Sequence, residues 1–444
     1  MTKQAGGERV SRAEDGAVTP GGGPLCGYRV LDLTDEAGAL AGKMFADFGA
    51  DVVKVEPPGG CPTRRIPPFL DERAGPEDGC FFQAMAAGKR SVVIDLGQPE
   101  GRELLSRLAE AADFLIESFP LGYLDGIGLS YDALAAGNPR LIYTCVTPFG
   151  DRGPGATWTA ADIVGWAAGG MMAMMGAPGR APLQVSVPQA FSHGASEAAV
   201  ASMLAHLERA RSGRGQKVVV SMQAAGVWAT NAETALPALE GRSLSRSGII
   251  PAGMSRTSIR KCADGYVQLM VGGGVFLATT VGLLDWLAEF GPVPGVVAAI
   301  DFATWTPERF RSGDAGFLAE LAACDAAISD LLLRVTKAEI VSRSDANGWV
   351  VAPVSTMADV ARDRQLAARS FYQQVEHPGL GRDLTLAGPF ARFSGTPAPP
   401  AWRAPMLGEH TAEVLRGELG LTAAEFAALE AADVIGSASQ GALR

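Results

Sequence analysis

Cysteine is sparse and scattered. Cys26, Cys61, Cys80, Cys145, Cys262 and Cys324 include no Cys-x-x-Cys pair, which argues against a zinc ribbon and gives no disulfide framework. Histidine is scarcer still, and His193, His206, His377 and His410 lie too far apart in sequence to form a local metal motif, so no metal is expected. No apolar run reaches the length of about 20 residues that a membrane span needs. The net charge of −10 removes the broad basic surface of a nucleic-acid binder, although it leaves room for a local basic pocket. Residues 1–24 are polar and Gly-rich with no apolar core of the signal-peptide kind. They read as a flexible tail, and a cytoplasmic metabolic protein fits best.

What the chain does have is length and a hydrophobic fraction of 47% over 444 residues, enough for two domains with substantial cores. Tyr28–Leu33 reads as a strand, Ala37-Gly38 as a turn, the following stretch to Phe48 as a helix, and Ala50–Glu56 as a second strand. This βαβ unit implies parallel neighbours joined by a right-handed crossover. It lacks a full G-x-G-x-x-G, which argues against a nicotinamide cofactor. The turn Gly88-Lys89-Arg90-Ser91 precedes another strand, Pro99 opens a helix to Ala111, and Asp113–Glu117 is again a buried strand.

The stretch 183–222 carries the argument for function. It reads as a strand ending at Val187-Pro188, a small-residue helix from near Ser192, the turn Ser212-Gly213-Arg214-Gly215-Gln216, and a strand at Val218–Val220. Further on, Lys261–Val271 is a hairpin around Asp264-Gly265, a helical run reaches about Arg343, Gly348–Thr356 is a strand and turn, and Met357–Arg369 a helix. The expected organisation is a large domain over 25–225, a linker over 226–247, a small domain over 248–345, and a segment over 346–444 that returns to the large domain.

Gly49-Ala50-Asp51-Val52-Val53-Lys54-Val55-Glu56, Asn138-Pro139-Arg140-Leu141-Ile142-Tyr143, the Gly-Arg-Gly-Gln turn and Ala404–Thr411 together resemble the family III CoA-transferases, over Gly27 to about Ile435. The resemblance implies an α/β fold: a large Rossmann-like domain whose parallel sheet is built from the N- and C-terminal segments, a smaller α+β domain, and two chains interlocked as a dimer. It also implies CoA thioesters as substrates and no bound cofactor. In the family, an aspartate on the turn before the helix of the 183–222 stretch attacks the thioester. Counting back from the Gly-Arg-Gly-Gln turn places Phe191 there, flanked by Gln189, Ala190, Ser192 and His193. Phenylalanine has no group that can attack a carbonyl.

A second departure falls at Gly126, where the family carries an arginine for CoA phosphates; here Asp125 stands beside it. Phe119, which the resemblance places near the adenine, remains. Lys89 and Arg90 have the right chemistry for phosphate, with a solvated surface pair as the alternative, and Arg64 and Arg65 stand in the same ambiguity. Asp162 matches a racemase proton-transfer aspartate but lacks its histidine partner, so a helix N-cap is the preferred reading. His410 reads as a structural cap, and Gln189 and His193 as substrate contacts.

Three functions follow. One is a subunit, inactive in isolation, of a heteromeric CoA-transferase whose nucleophile comes from a paralogous partner chain. It most resembles the succinyl-CoA-dependent, benzylsuccinate-directed transferases of anaerobic toluene breakdown, which are built from two related but unequal chains. The second is a self-sufficient transferase using Asp162 or Glu197. The third is a non-enzymatic binding or regulatory protein on the same scaffold.

Overall fold

The computed structural model describes residues 22–177, 179–241, 243, 246, 258–312 and 314–437, with the side chains at 307, 310 and 311 left aside. The loop at Gly248–Gly253, expected to replace a longer glycine loop of the family, lies outside the described residues. The described chain divides into two compact units, one within 22–171, 184–231 and 367–437, the other within 172–183 and 232–366.

The larger unit is built on strands β1 (Arg29–Leu33), β2 (Asp51–Glu56), β3 (Arg90–Ile94), β4 (Phe114–Glu117), β5 (Ile142–Thr147) and β6 (Lys217–Ser221). They lie parallel in the order β3-β2-β1-β4-β5-β6, and Ile435–Gly436 adds an antiparallel edge strand beside β3. Strands buried on both faces need continuous apolar runs, and Val30, Leu31, Val52, Val53, Val92, Ile94, Leu115 and Ile116 supply them. The order reverses between β1 and β4. In open α/β sheets the crevice outside the strands' carboxyl ends at such a reversal is where ligands bind.

The helix Ala190–Ser212 follows no strand: residues 183–188, expected as extended sheet, form none. Pro182 and Pro188 bracket them, and the place beside β5 is taken by β6. The helix buries Ala190, Gly194, Ala198, Ser202, Ala205 and Arg209, a three- to four-residue spacing that makes one face. Small side chains on that face let it lie close to the sheet, where Ser202 and Thr144 share a hydroxyl hydrogen bond of 2.8 Å. The glycines here are steric necessities: a Cβ at Gly215 would sit 2.0 Å from the Leu141 carbonyl oxygen, and one at Gly194 2.8 Å from Met222 Cγ.

The smaller unit holds an antiparallel sheet of Ile259–Cys262, Gly265–Leu269 and Val351–Pro353. Its core joins Val267, Leu283, Leu287, Phe317, Ile328 and Leu331 from the sheet and the helices Leu277–Ala288 and Ala315–Leu332. The helix expected over Met357–Arg369 is two short helices, Met357–Ala361 and Arg364–Ala368. Asp363 breaks it, because its carboxylate accepts from the Leu366 N–H and starts a new first turn.

Candidate active site at the carboxyl end of the sheet

At the reversal point, the loops leaving β1 and β4 are tied together. The Asp35 N–H donates to Ser118 Oγ at 2.8 Å, and that hydroxyl donates to Asp35 Oδ1 at 2.6 Å. Glu36 beside it is held above the ordinary carboxylate range by burial and by the charges of Asp35 and Asp162. Three carboxylates therefore gather at this end.

Asp162 does not cap its own helix. It is the first residue of Asp162–Ala168, after Ala161, and its Oδ1 accepts from the backbone N–H of Phe191 at 2.9 Å. Asp162, 29 positions earlier in the chain, thus brings a carboxylate to the amino end of the helix Ala190–Ser212, where the helix dipole favours negative charge. Around it, Ser192 Oγ donates to the Pro188 carbonyl at 2.8 Å, and the Gln189 amide donates to the Val187 and Pro188 carbonyls at 3.3 Å. His193 stacks on Trp166 with ring centroids 5.8 Å apart. Phe191 is half-buried, and no side chain from 189 to 193 is a carboxylate. Glu197 lies about 9 Å further along the helix axis.

The cations named by the sequence are held internally. Lys89 Nζ donates to Asp32 Oδ2 at 2.6 Å, both groups buried. Arg90 forks onto Asp51 at 2.6 and 2.9 Å and reaches Glu418 at 2.6 Å and Glu413 at 3.0 Å. Arg90 also stands at the amino end of β3, on the opposite edge of the sheet from the reversal crevice, beside a cavity of about 570 Å³. Arg64 is fully buried rather than solvated: it forks onto Glu56 at 2.7 and 2.8 Å and reaches Glu77 at 2.8 Å. Arg65 donates to the Gly59 carbonyl at 2.7 Å. At Gly126 an added Cβ would meet nothing within 4 Å, so packing does not forbid a side chain there.

Phe119 stays at the crevice, tilted against Tyr123 with ring centroids 4.8 Å apart. The sequence reading missed Asp35, Glu36 and Glu117, although acids directly after predicted buried strands were a visible signal. Glu117 ends β4 and is buried; burial pushes its carboxyl from 4.5 up to about 7, against hydrogen bonds from Cys145 and the Phe119 N–H. A folded-state value above the unfolded one means stability that is complete below pH 4.5 and lost as pH rises through 7. Urea unfolding should therefore show the larger unit losing roughly 3 kcal/mol between pH 4.5 and 8, and Glu117→Gln should remove that slope.

The sequence profile of CoA-transferase family III matches residues 25–411. The chain belongs to CoA-transferase family III. Within the family it is 33% identical over 392 residues to the succinyl-CoA:(R)-benzylsuccinate CoA-transferase subunit BbsE of Thauera aromatica, covering 87% of this chain and 92% of that one. It is 32% identical to the succinyl-CoA:mesaconate CoA-transferase of Haloarcula hispanica, covering 88% and 96%. A solved CAIB/BAIF family protein from Brucella suis superposes with TM-score 0.76 at 30% identity, covering 90% of this family III chain and 100% of the other. The expected α/β scaffold is therefore found. Among the described residues no cluster of three His, Cys, Asp or Glu side chains is placed to hold a metal ion, and no helix is long and apolar enough to cross a membrane.

Proposed function

We propose that this chain is the subunit without the nucleophile in a heteromeric, cytosolic family III CoA-transferase. CoA would move from succinyl-CoA to an acid such as benzylsuccinate. A paralogous chain, interlocked with this one, supplies the attacking aspartate. Its carboxylate adds to the thioester carbonyl and expels CoA thiolate, leaving a mixed anhydride; the thiolate then attacks the enzyme carbonyl, releasing succinate and an enzyme thioester. The acceptor carboxylate repeats the two steps in reverse.

The observation that carries this reading is Phe191 at the amino end of the Ala190–Ser212 helix, with its N–H already taken by Asp162. Two further facts support it. Lys89, Arg90 and Arg64 are neutralised by carboxylates of their own chain, and Asp35, Glu36 and Asp162 make the crevice unfavourable for the phosphates of CoA. The similarity to a protein named as one subunit of a benzylsuccinate transferase agrees with it.

A second reading has one specific observation in its favour. Asp162 places a carboxylate 2.9 Å from the backbone of position 191, so it could act as a displaced nucleophile. A transfer assay with succinyl-CoA and benzylsuccinate separates the two. The subunit reading expects turnover only when the chain is co-expressed with the paralogous chain of its own genome. Turnover by the chain alone, abolished by Asp162→Asn, would replace it with the second.

A further inference from the structure

We propose that Trp158 is a specificity-determining residue whose open indole face stacks on an aromatic ring carried by the acceptor acid. This rests on the CoA-transferase reading above. Trp158 is 60% exposed, yet its ring is fixed. Phe149 meets it edge to face, with centroids 5.6 Å apart at 78°. The backbone N–H of Trp158 closes a turn onto the Gly155 carbonyl at 3.0 Å, and a Cβ at Gly155 would come within 3.2 Å of the indole. One face of the ring thus lies against Gly155 while a large apolar surface remains open to solvent. Tryptophan rings held by neighbours with apolar surface left open are enriched at recognition surfaces.

The loop that carries Trp158 leaves the carboxyl end of β5 and reaches Asp162 four residues later. On the neighbouring strand β4, paired with β5 through Glu117 and Cys145, the following segment carries the tilted Phe119–Tyr123 ring pair, with Tyr123 41% exposed. Two aromatic pairs therefore rise from adjacent strands on the side of the sheet where position 191 is capped. An indole face recognises an arene by dispersion and by its quadrupole and gives little to an aliphatic dicarboxylate. Because Asp35, Glu36 and Asp162 make this end negative, the contribution of Trp158 is discrimination by the ring and not attraction of the carboxylates.

The test uses this chain labelled with 5-fluorotryptophan and assembled with its unlabelled paralogous partner, the Trp158 resonance being identified by its loss in Trp158→Phe. Benzylsuccinate should shift that resonance saturably, and methylsuccinate, which lacks the ring, should not. In turnover, Trp158→Ala should raise KM for the aryl acid by about three- to tenfold with kcat unchanged, and Trp158→Phe should restore most of it. An unmoved resonance, an equal shift with both acids, or dissociation of the assembly by Trp158→Ala in gel filtration would overturn the assignment. A ring-selective shift in an assembly that transfers CoA to no acid would sink the transferase reading and leave the aryl site standing.

Discussion

Phe191→Asp, made in this chain alone, is expected to leave CoA transfer at background. The same chain, unmutated, is expected to turn over once its Asp-bearing paralog is present. The expected contrast is large: loss of a covalent nucleophile costs on the order of 10³-fold or more in rate, because the remaining groups act only with it. The single replacement is insufficient for two physical reasons. The new carboxylate would enter a helix terminus whose N–H at position 191 is already held by Asp162 at 2.9 Å, so two like charges would compete for one dipole end and one of them would take up a proton. On the proposed reading the phosphate end also stays weak, with Gly126 offering no charge and Asp125 the wrong sign. Full turnover from Phe191→Asp would show that the CoA pocket of this chain had been intact all along. A rise only in the double variant with Asp162→Asn would assign the block to the competing carboxylate.

Arg64→Ala should be the most destabilising single change in the larger unit. The guanidinium is fully buried, lies over the Phe82 ring at 3.8 Å, and bridges Glu56 at the end of β2, Glu77, and the Pro405 carbonyl at 3.2 Å. It thereby pins the returning C-terminal segment to the sheet. Removing it strands the Glu56 charge out of water, and breaking one side of such a buried pair costs about 3–5 kcal/mol, or roughly 10 °C in the melting of this unit. Glu56 also gives the pH signature. Burial pushes its carboxyl up, but the Arg64 hydrogen bonds and charge, with Ser91 and the Cys61 N–H, more than offset this and hold it at about 2. Its contribution is present above the ordinary value of 4.5 and lost as pH falls through 2. Thermal melts at pH 7 and pH 3 check both points: the wild type should lose part of its advantage over Arg64→Ala at the lower pH. Equal melting of the two proteins at pH 7 would mean that the ion pair contributes nothing net, the balance that buried pairs sometimes reach against apolar packing.

The sequence by itself determined the six parallel strands of the larger unit and the family. Apolar runs such as Val52-Val53 and Val92-Val93-Ile94 had to be buried on both faces, and helix-spaced small residues from Ala190 to Ala205 had to lie against them. Those patterns depend on neighbours one to four residues apart, which a linear reading can see. That no carboxylate stands at positions 189–193, at the start of that helix, can likewise be read along the chain. Only the tertiary structure decided what the charges do. Lys89 meets Asp32 across 57 positions, Arg90 meets Glu413 across 323, and Asp162 returns to Phe191 across 29. A cation's availability to a ligand depends on which carboxylates the topology brings to it, and burial then makes those partners obligatory. For that reason a Lys-Arg turn that read as phosphate-binding or solvated proved to be an internal clamp, and an aspartate that read as the cap of its own helix proved to cap another.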